Sequence, residues 1–208
     1  MMSELSFGLL CFSSLFTVID PLAAAPIFVS LTQGGRPAEA RAIALRACLV
    51  ALAVLALFAV SGALVFRLFG ITLDAFRIGG GIVFVAIGLP MMTGHASREA
   101  PEHAKGDPSV VPLGVPLLAG PGAITTVMVL MGQSRGLAHA AALLAALVLA
   151  LGATFGALAL APVLLRRLGA SGLALVTKVM GLIMLVLGVQ LVLDGLKPVV
   201  LDILRAAH

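Results

Sequence analysis

The chain has 208 residues, 61% hydrophobic and 11% charged, with thirteen Lys and Arg against nine Asp and Glu. A soluble domain carries about 25% charged residues, so this composition, with a mean hydropathy of +1.20, excludes a water-soluble globule and predicts a surface facing lipid. The basic excess does not form a nucleic-acid surface either: the cations are scattered over loops and helix ends, with no stripe and no aromatic platform.

A helix that crosses a bilayer needs about 20 apolar residues, and six runs qualify, near 5–32, 42–68, 71–93, 109–132, 137–165 and 171–193. Barrel strands would alternate polar and apolar at every second residue, and "AALLAALVLALGATFGALAL" does not. The prediction is an all-α, polytopic membrane protein with six transmembrane helices.

The first run has no Lys or Arg before Arg36, unlike a cleavable signal with its positive start. It contains "FTVIDPLAAAPIF", in which Asp20 precedes Pro21 and a second proline follows at Pro26. A charge at mid-membrane costs about 2.5–3.5 kcal/mol on insertion scales and usually serves function. Asp before Pro is also a helix-start signal, so capping and a role toward a proton, a ligand ammonium or a cation are both open for Asp20. Cys11 and Cys48, in the first and second runs, lack CxxC spacing and read as packing residues. Asp74 and Arg77 open the third run at i, i+3 and are predicted to pair. After the polar linker 95–108, the fourth run reads "VPLGVPLLAGPGAITTV", interrupted by Pro112, Pro116 and Gly120-Pro121-Gly122. Thr125 and Thr126 follow within about one turn, able to bond a ligand or their own helix. His95, His103, His139 and His208 form no ligand spacing, and there is no P-loop, so no metal, cofactor or enzymatic activity is expected.

A shift of one hundred residues brings the interruptions into register: Pro21 meets Pro121, Ala23 meets Ala123 and Gln33 meets Gln133. A one-residue slip then aligns Arg77 with Lys178 and Gly80 with Gly181. One transmembrane domain, 1–208, is therefore read as repeat one (about 5–94), the linker and repeat two (about 109–195). Each repeat holds three helices, an odd number, so the second enters the membrane inverted, a plan that puts a transporter's substrate where the repeats meet.

Proline lacks the amide hydrogen and clashes with the carbonyl one turn back, so the first and fourth helices are expected to be discontinuous. Each new half-helix would then offer free amides, at Ala23, Ala24 and Ala25 in one repeat and at Gly122, Ala123 and Ile124 in the other. Helix N-termini of this kind seat carboxylates, and the small flanking residues let a ligand approach the backbone. With the N-terminus outside, eight of the thirteen basic residues fall on the inner side, so the positive-inside rule favours N-out.

"FTVIDPLAAAPIFVSLTQG", "FRIGGGIVFVAIGLPMMTG" and "VPLGVPLLAGPGAITTVMVL" resemble the hallmark segments of the MarC family of bacterial and archaeal integral membrane proteins. The family's first motif usually has Gly where Ala23 stands here. The resemblance implies a six-helix inner-membrane protein, and some members are described as transporters of small neutral amino acids such as glycine and alanine. It agrees with the residue reading: the half-helix amides would take a zwitterion's carboxylate, and Asp20 or unwound carbonyls its ammonium. The expectation is a secondary transporter whose binding site comprises Asp20, Pro21, Ala23, Ala24, Ala25, Gly120, Pro121, Gly122, Ala123, Thr125 and Thr126, with a proton as coupling ion. The alternatives are an exporter of another small metabolite or drug, or a divalent-cation transporter.

Overall fold

The computed structural model describes residues 3–32, 35–93, 107, 109–166 and 169–206, and every described element is helical. Seven α-helices follow in order: α1 Glu4–Ile19, α2 Pro21–Leu31, α3 Pro37–Phe69, α4 Leu73–Thr93, α5 Pro121–Gln133, α6 Leu137–Arg166 and α7 Gly169–Ala206. Between α4 and α5 lies an irregular wide coil, Ser109–Leu118, in which Val111 and Val115 have extended backbone angles. Its Val111–Pro112 and Val115–Pro116 bonds are cis. The predicted linker, apart from Asp107, lies outside the described residues, as do Gln33, His95, Arg98, His103, Lys105, Arg167 and His208.

Local chemistry sets these boundaries. Ser3 opens α1, its hydroxyl accepting from the Ser6 amide at 3.2 Å, a standard N-cap. Gly70 ends α3 at φ +62°, sending its amide back to Arg67 and Phe66, a left-handed ending that glycine adopts without strain. Thr72 then caps α4 by accepting from the Ala75 amide at 3.1 Å. At α4's first turn Arg77 donates to Asp74 at 3.3 Å, the predicted pair. The last helix runs 38 residues, well past the apolar run that ends near 193, and so carries Asp194 and Lys197 beyond the most apolar stretch.

Five helical spans are long and apolar enough to cross a bilayer, and the wide coil with α5 makes a sixth. Large apolar side chains face outward along them, Val60 77% and Leu137 88% exposed, an arrangement only lipid can solvate. Inside, the helices meet through small residues. Ala40, Ala44, Ala47, Ala51 and Ala59 form the buried stripe of α3, and Leu143, Leu147, Ala150, Thr154 and Leu158 that of α6. The Thr154 hydroxyl, fully buried, donates to the Ala150 carbonyl at 2.8 Å.

The most intimate packing joins α4 to α7. A Cβ at Gly81 would stand 2.5 Å from the Gly188 carbonyl oxygen, one at Gly88 2.7 Å from that of Gly181, and one at Gly195 2.6 Å from that of Asp74. As one residue number rises the other falls, so the helices run antiparallel. Each step is seven residues on both chains, the period of a left-handed pair. No side chain fits between the backbones, and close approach of this kind is how small residues hold membrane helices together where lipid removes the hydrophobic drive.

Candidate functional site

Both predicted interruptions are present, and they differ. At the first, Asp20 is a single left-handed residue (φ +46°, ψ +73°) between α1 and α2. It is the one non-glycine residue at positive φ among those described, a conformation Asp tolerates through local hydrogen bonding. Its own amide donates to Phe16 and its carboxylate accepts from the Ala23 amide at 3.1 Å. The Asp20 carbonyl accepts from Ala24 at 3.2 Å, closing the first turn. Pro26, which the sequence suggested would also break the chain, sits buried inside a continuous α2. Its missing amide bond costs a helix rung but no direction, and Glu4–Val29 runs on as one span of 26 residues.

At the second interruption the chain turns. The wide coil and α5 meet at 55° across Ala119 and Gly120. Gly120 precedes α5 in extended conformation and has no side chain to cap it. The first bond of α5 is Ile124 to the Gly120 carbonyl at 2.9 Å. Proline at 121 has no amide, so the donors of the first turn that lack a side-chain cap are those of Gly122 and Ala123. The Thr125 hydroxyl donates back to the Gly122 carbonyl at 2.9 Å, the self-bonding alternative; Thr126 takes no such bond among the described residues.

The predicted anion seat is therefore not the same in both halves. In α2 the Asp20 carboxylate already sits on the Ala23 amide, and an anion cannot take that place without displacing it. Ala24 and Ala25 lie within the helix, Ala24 fully buried. In α5 the corresponding position is open. Of the two helices that flank Asp20, it is α1 that packs on α5. A Cβ at Gly122 would stand 3.0 Å from the Val18 Cγ1, so the end of α1 packs directly on the start of α5. Asp20 is two residues from that contact.

Three participants were not read from the sequence as part of the site, Gly80 having figured only in the repeat alignment. Val18 lies between the two interruptions. Gly80 of α4 faces the Pro121 ring, so closely that a Cβ there would overlap it, and Phe84 stands 3.0 Å from where a Gly120 Cβ would be. The signal for the α4–α7 seam was available: Gly81 and Gly88, then Gly181, Gly188 and Gly195, repeat every seven residues.

At the start of the wide coil, Asp107 accepts from the Ser109 amide at 3.0 Å and pairs with Arg46 of α3 at 3.1 Å. The Ser109 hydroxyl is buried and outside strict hydrogen-bond geometry to any described group. That hydroxyl, the Ser109 amide and the Arg46 guanidinium together hold the exposed Asp107 carboxyl below the usual carboxylate range. Among the described residues no three His, Cys, Asp or Glu side chains gather to hold a metal.

Helices long enough to span, one of them broken and bent at a glycine-proline junction, define a multi-pass α-helical membrane protein. The chain belongs to the MarC family: the family model, described as MarC family integral membrane protein, matches residues 5–200. It is 36% identical over 202 residues to a UPF0056 membrane protein of Methanocaldococcus jannaschii, covering 93% of this chain and 98% of that one. It is 38% identical over 201 residues to a UPF0056 membrane protein of Aquifex aeolicus, covering 92% and 94%. To the UPF0056 inner membrane protein YhgN of Escherichia coli it is 35% identical over 185 residues, covering 88% and 92%. No solved structure matches it.

Proposed function

We propose that this protein is a secondary transporter of small neutral amino acids, glycine and alanine among them, across the cytoplasmic membrane, coupled to protons and oriented with its N-terminus outside. The observation that carries the reading is the meeting of the two helix interruptions through Val18 and Gly122. It sets the end of α1, two residues before Asp20, against the uncapped start of α5. A zwitterion has the complementary pair of charges: its carboxylate goes to the Gly122 and Ala123 amides, its ammonium to Asp20. Ala23, Ala24 and Ala123, beside the two breaks, are small and buried, which favours a ligand whose side chain is a hydrogen or a methyl.

Two inverted repeats, about 5–94 and 109–195, are part of this proposal, and the pattern of packing supports them. Exchange of α1, α2, α3 and α4 for the wide coil, α5, α6 and α7 turns most of the contacts into one another, the α5–α6 and α6–α7 contacts being the exceptions. Thus α1 packs on α6 and the coil on α3; α2 on α6 and α5 on α3; α2 on α7 and α5 on α4; α1 on α5 and the coil on α2. The α3–α6 and α4–α7 pairs map onto themselves. A shift of one hundred carries the pair Gly81–Gly188 onto Gly181–Gly88, so the packing favours Gly81 rather than Gly80 as the counterpart of Gly181, without the one-residue slip of the sequence alignment.

Uptake of labelled glycine into proteoliposomes, with and without an imposed pH gradient, tests the transport reading. Accumulation that follows the gradient is expected, and no uptake of glycine or alanine under either condition would end it. A reporter fused at Lys105 should read cytoplasmic and one after His208 periplasmic. Reporters on one side would contradict three-plus-three inversion, and a reversed pair the orientation.

A further inference from the structure

The exchange of halves is inexact, and one of its departures adjoins the site. On α4, Gly80 leaves a notch that receives the Pro121 ring, and Phe84 closes over Gly120 beside it. A shift of one hundred puts Met180 where Gly80 stands and Met184 where Phe84 stands. Met184 is buried and Met180 packs against the core, so the matching positions of α7 carry flexible side chains in place of a notch. The bend divides the same way: 55° where the notch exists, a single span where it does not. Gly80 and Gly81 are neighbours with separate duties, since Gly81 lies in the α4–α7 seam while Gly79 has nothing within 4 Å of a built Cβ.

We infer that the seating of Pro121 in the Gly80 notch is a latch that holds the second half bent, and that the two access states differ by its release. The glycine seam between α4 and α7 is the axis that does not move, because its backbones are in contact and interlocked at three levels. The first half, lacking a notch, moves against Met180 and Met184, whose unbranched chains repack at little cost. Latched and released states therefore differ in energy, so the transporter rests with its second half bent. The purpose of the latch rests on the transport reading; its existence does not, and the test below uses no substrate.

Spin labels at positions 110 and 129, in the full chain with Cys11→Ala and Cys48→Ala, report the angle between the coil and α5 by pulsed dipolar spectroscopy. Both sites are exposed. The unaltered notch should give one distance. Gly80→Ala should transfer more than half of the population to a distance a few ångströms longer, because its methyl competes with the proline ring. Gly79→Ala should leave the distribution unchanged. An unchanged distribution in Gly80→Ala overturns the latch. Should that variant not fold, Met180→Gly decides: labels at positions 9 and 31 should then reveal a shortened, bent first half, and no shortening overturns the inference equally. Glycine uptake plays no part in either result, so a protein that carries some other solute can still keep the latch.

Discussion

Asp20-Pro21 and Gly120-Pro121 stand one hundred residues apart in the sequence and solve one problem in two ways. Each must restart a helix inside a membrane, where an unpaired amide costs several kcal/mol. The first half supplies its own acceptor, the Asp20 carboxylate on the Ala23 amide. It keeps its direction, with one left-handed residue absorbing the change. The second half has glycine in place of the acid, turns by 55°, and leaves the amides of Gly122 and Ala123 without a side-chain cap. The two interruptions thus differ in chemistry: one carries a carboxylate, and the other leaves two amides without a side-chain acceptor. The zwitterionic substrate proposed above would use both, and two identical interruptions would offer only one of them twice.

The comparison is broken most severely at Asp20. Asparagine caps a helix about as well as aspartate but cannot carry a proton. Asp20→Asn should therefore fold with nearly unchanged thermal stability and still exchange labelled glycine, while losing accumulation driven by a pH gradient. Undiminished accumulation in that variant would remove the proton role and reduce Asp20 to a cap. Weaker glycine binding, by the roughly 1.5–3 kcal/mol typical of a hydrogen bond to a charged group, would assign it to the ammonium. Asp20→Ala cannot separate these outcomes because it removes cap and charge together.

Next in size is the cost of making the second interruption resemble the first. A side chain at position 120 meets the Pro116 carbonyl at 2.6 Å and Phe84 at 3.0 Å. Gly120→Ala should destabilise by about 1–3 kcal/mol, the usual price of overpacking, measured by thermal unfolding in detergent. Asp20→Gly loses only the cap, a few tenths of a kcal/mol. Equal costs at the two positions would show that crowding at Gly120 is relieved by a small shift, and that the asymmetry is softer than the packing indicates.

Much of this was legible in the residues. Long apolar runs dictate helices because lipid offers no partner to a bare amide, and so the six spans and the places of interruption could be read directly. Proline and glycine mark where a helix can fail, but not whether it turns. Pro26 remains inside α2 while Gly120 sits at a bend, and the notch that accommodates the bend lies forty residues away, at Gly80. The capped state of Ala23 depends on Asp20 adopting φ +46°, a choice between two local conformations that composition does not decide. The glycine seam was missed for a different reason. A glycine within an apolar run reads as a tolerated helix interior until its partner helix is known.

The smallest effect separates the starts of the two halves. Helix α1 opens on a neutral cap, Ser3 accepting from Ser6 at 3.2 Å, and the wide coil on a charged one, Asp107 accepting from Ser109 at 3.0 Å while paired with Arg46. Folding holds the Asp107 carboxyl below its usual range, whereas the unfolded chain has it near the free value of about 3.9. The stabilisation is therefore complete above that value and fades as pH falls through the lower folded one. The group is exposed, so solvent screens it and the change is confined to the local turn. Amide protection at Ser109, measured by hydrogen exchange and corrected for intrinsic rate, should be constant from neutral pH to about pH 5 and fall below about pH 4. Protection at Ser6 should not follow it. Asp107→Asn retains the oxygen that accepts from Ser109 but not the charge, so it should show weakened protection at every pH and no acid transition. If Ser109 and Ser6 respond alike, the ion pair with Arg46 adds nothing, and the two halves begin on equivalent caps after all.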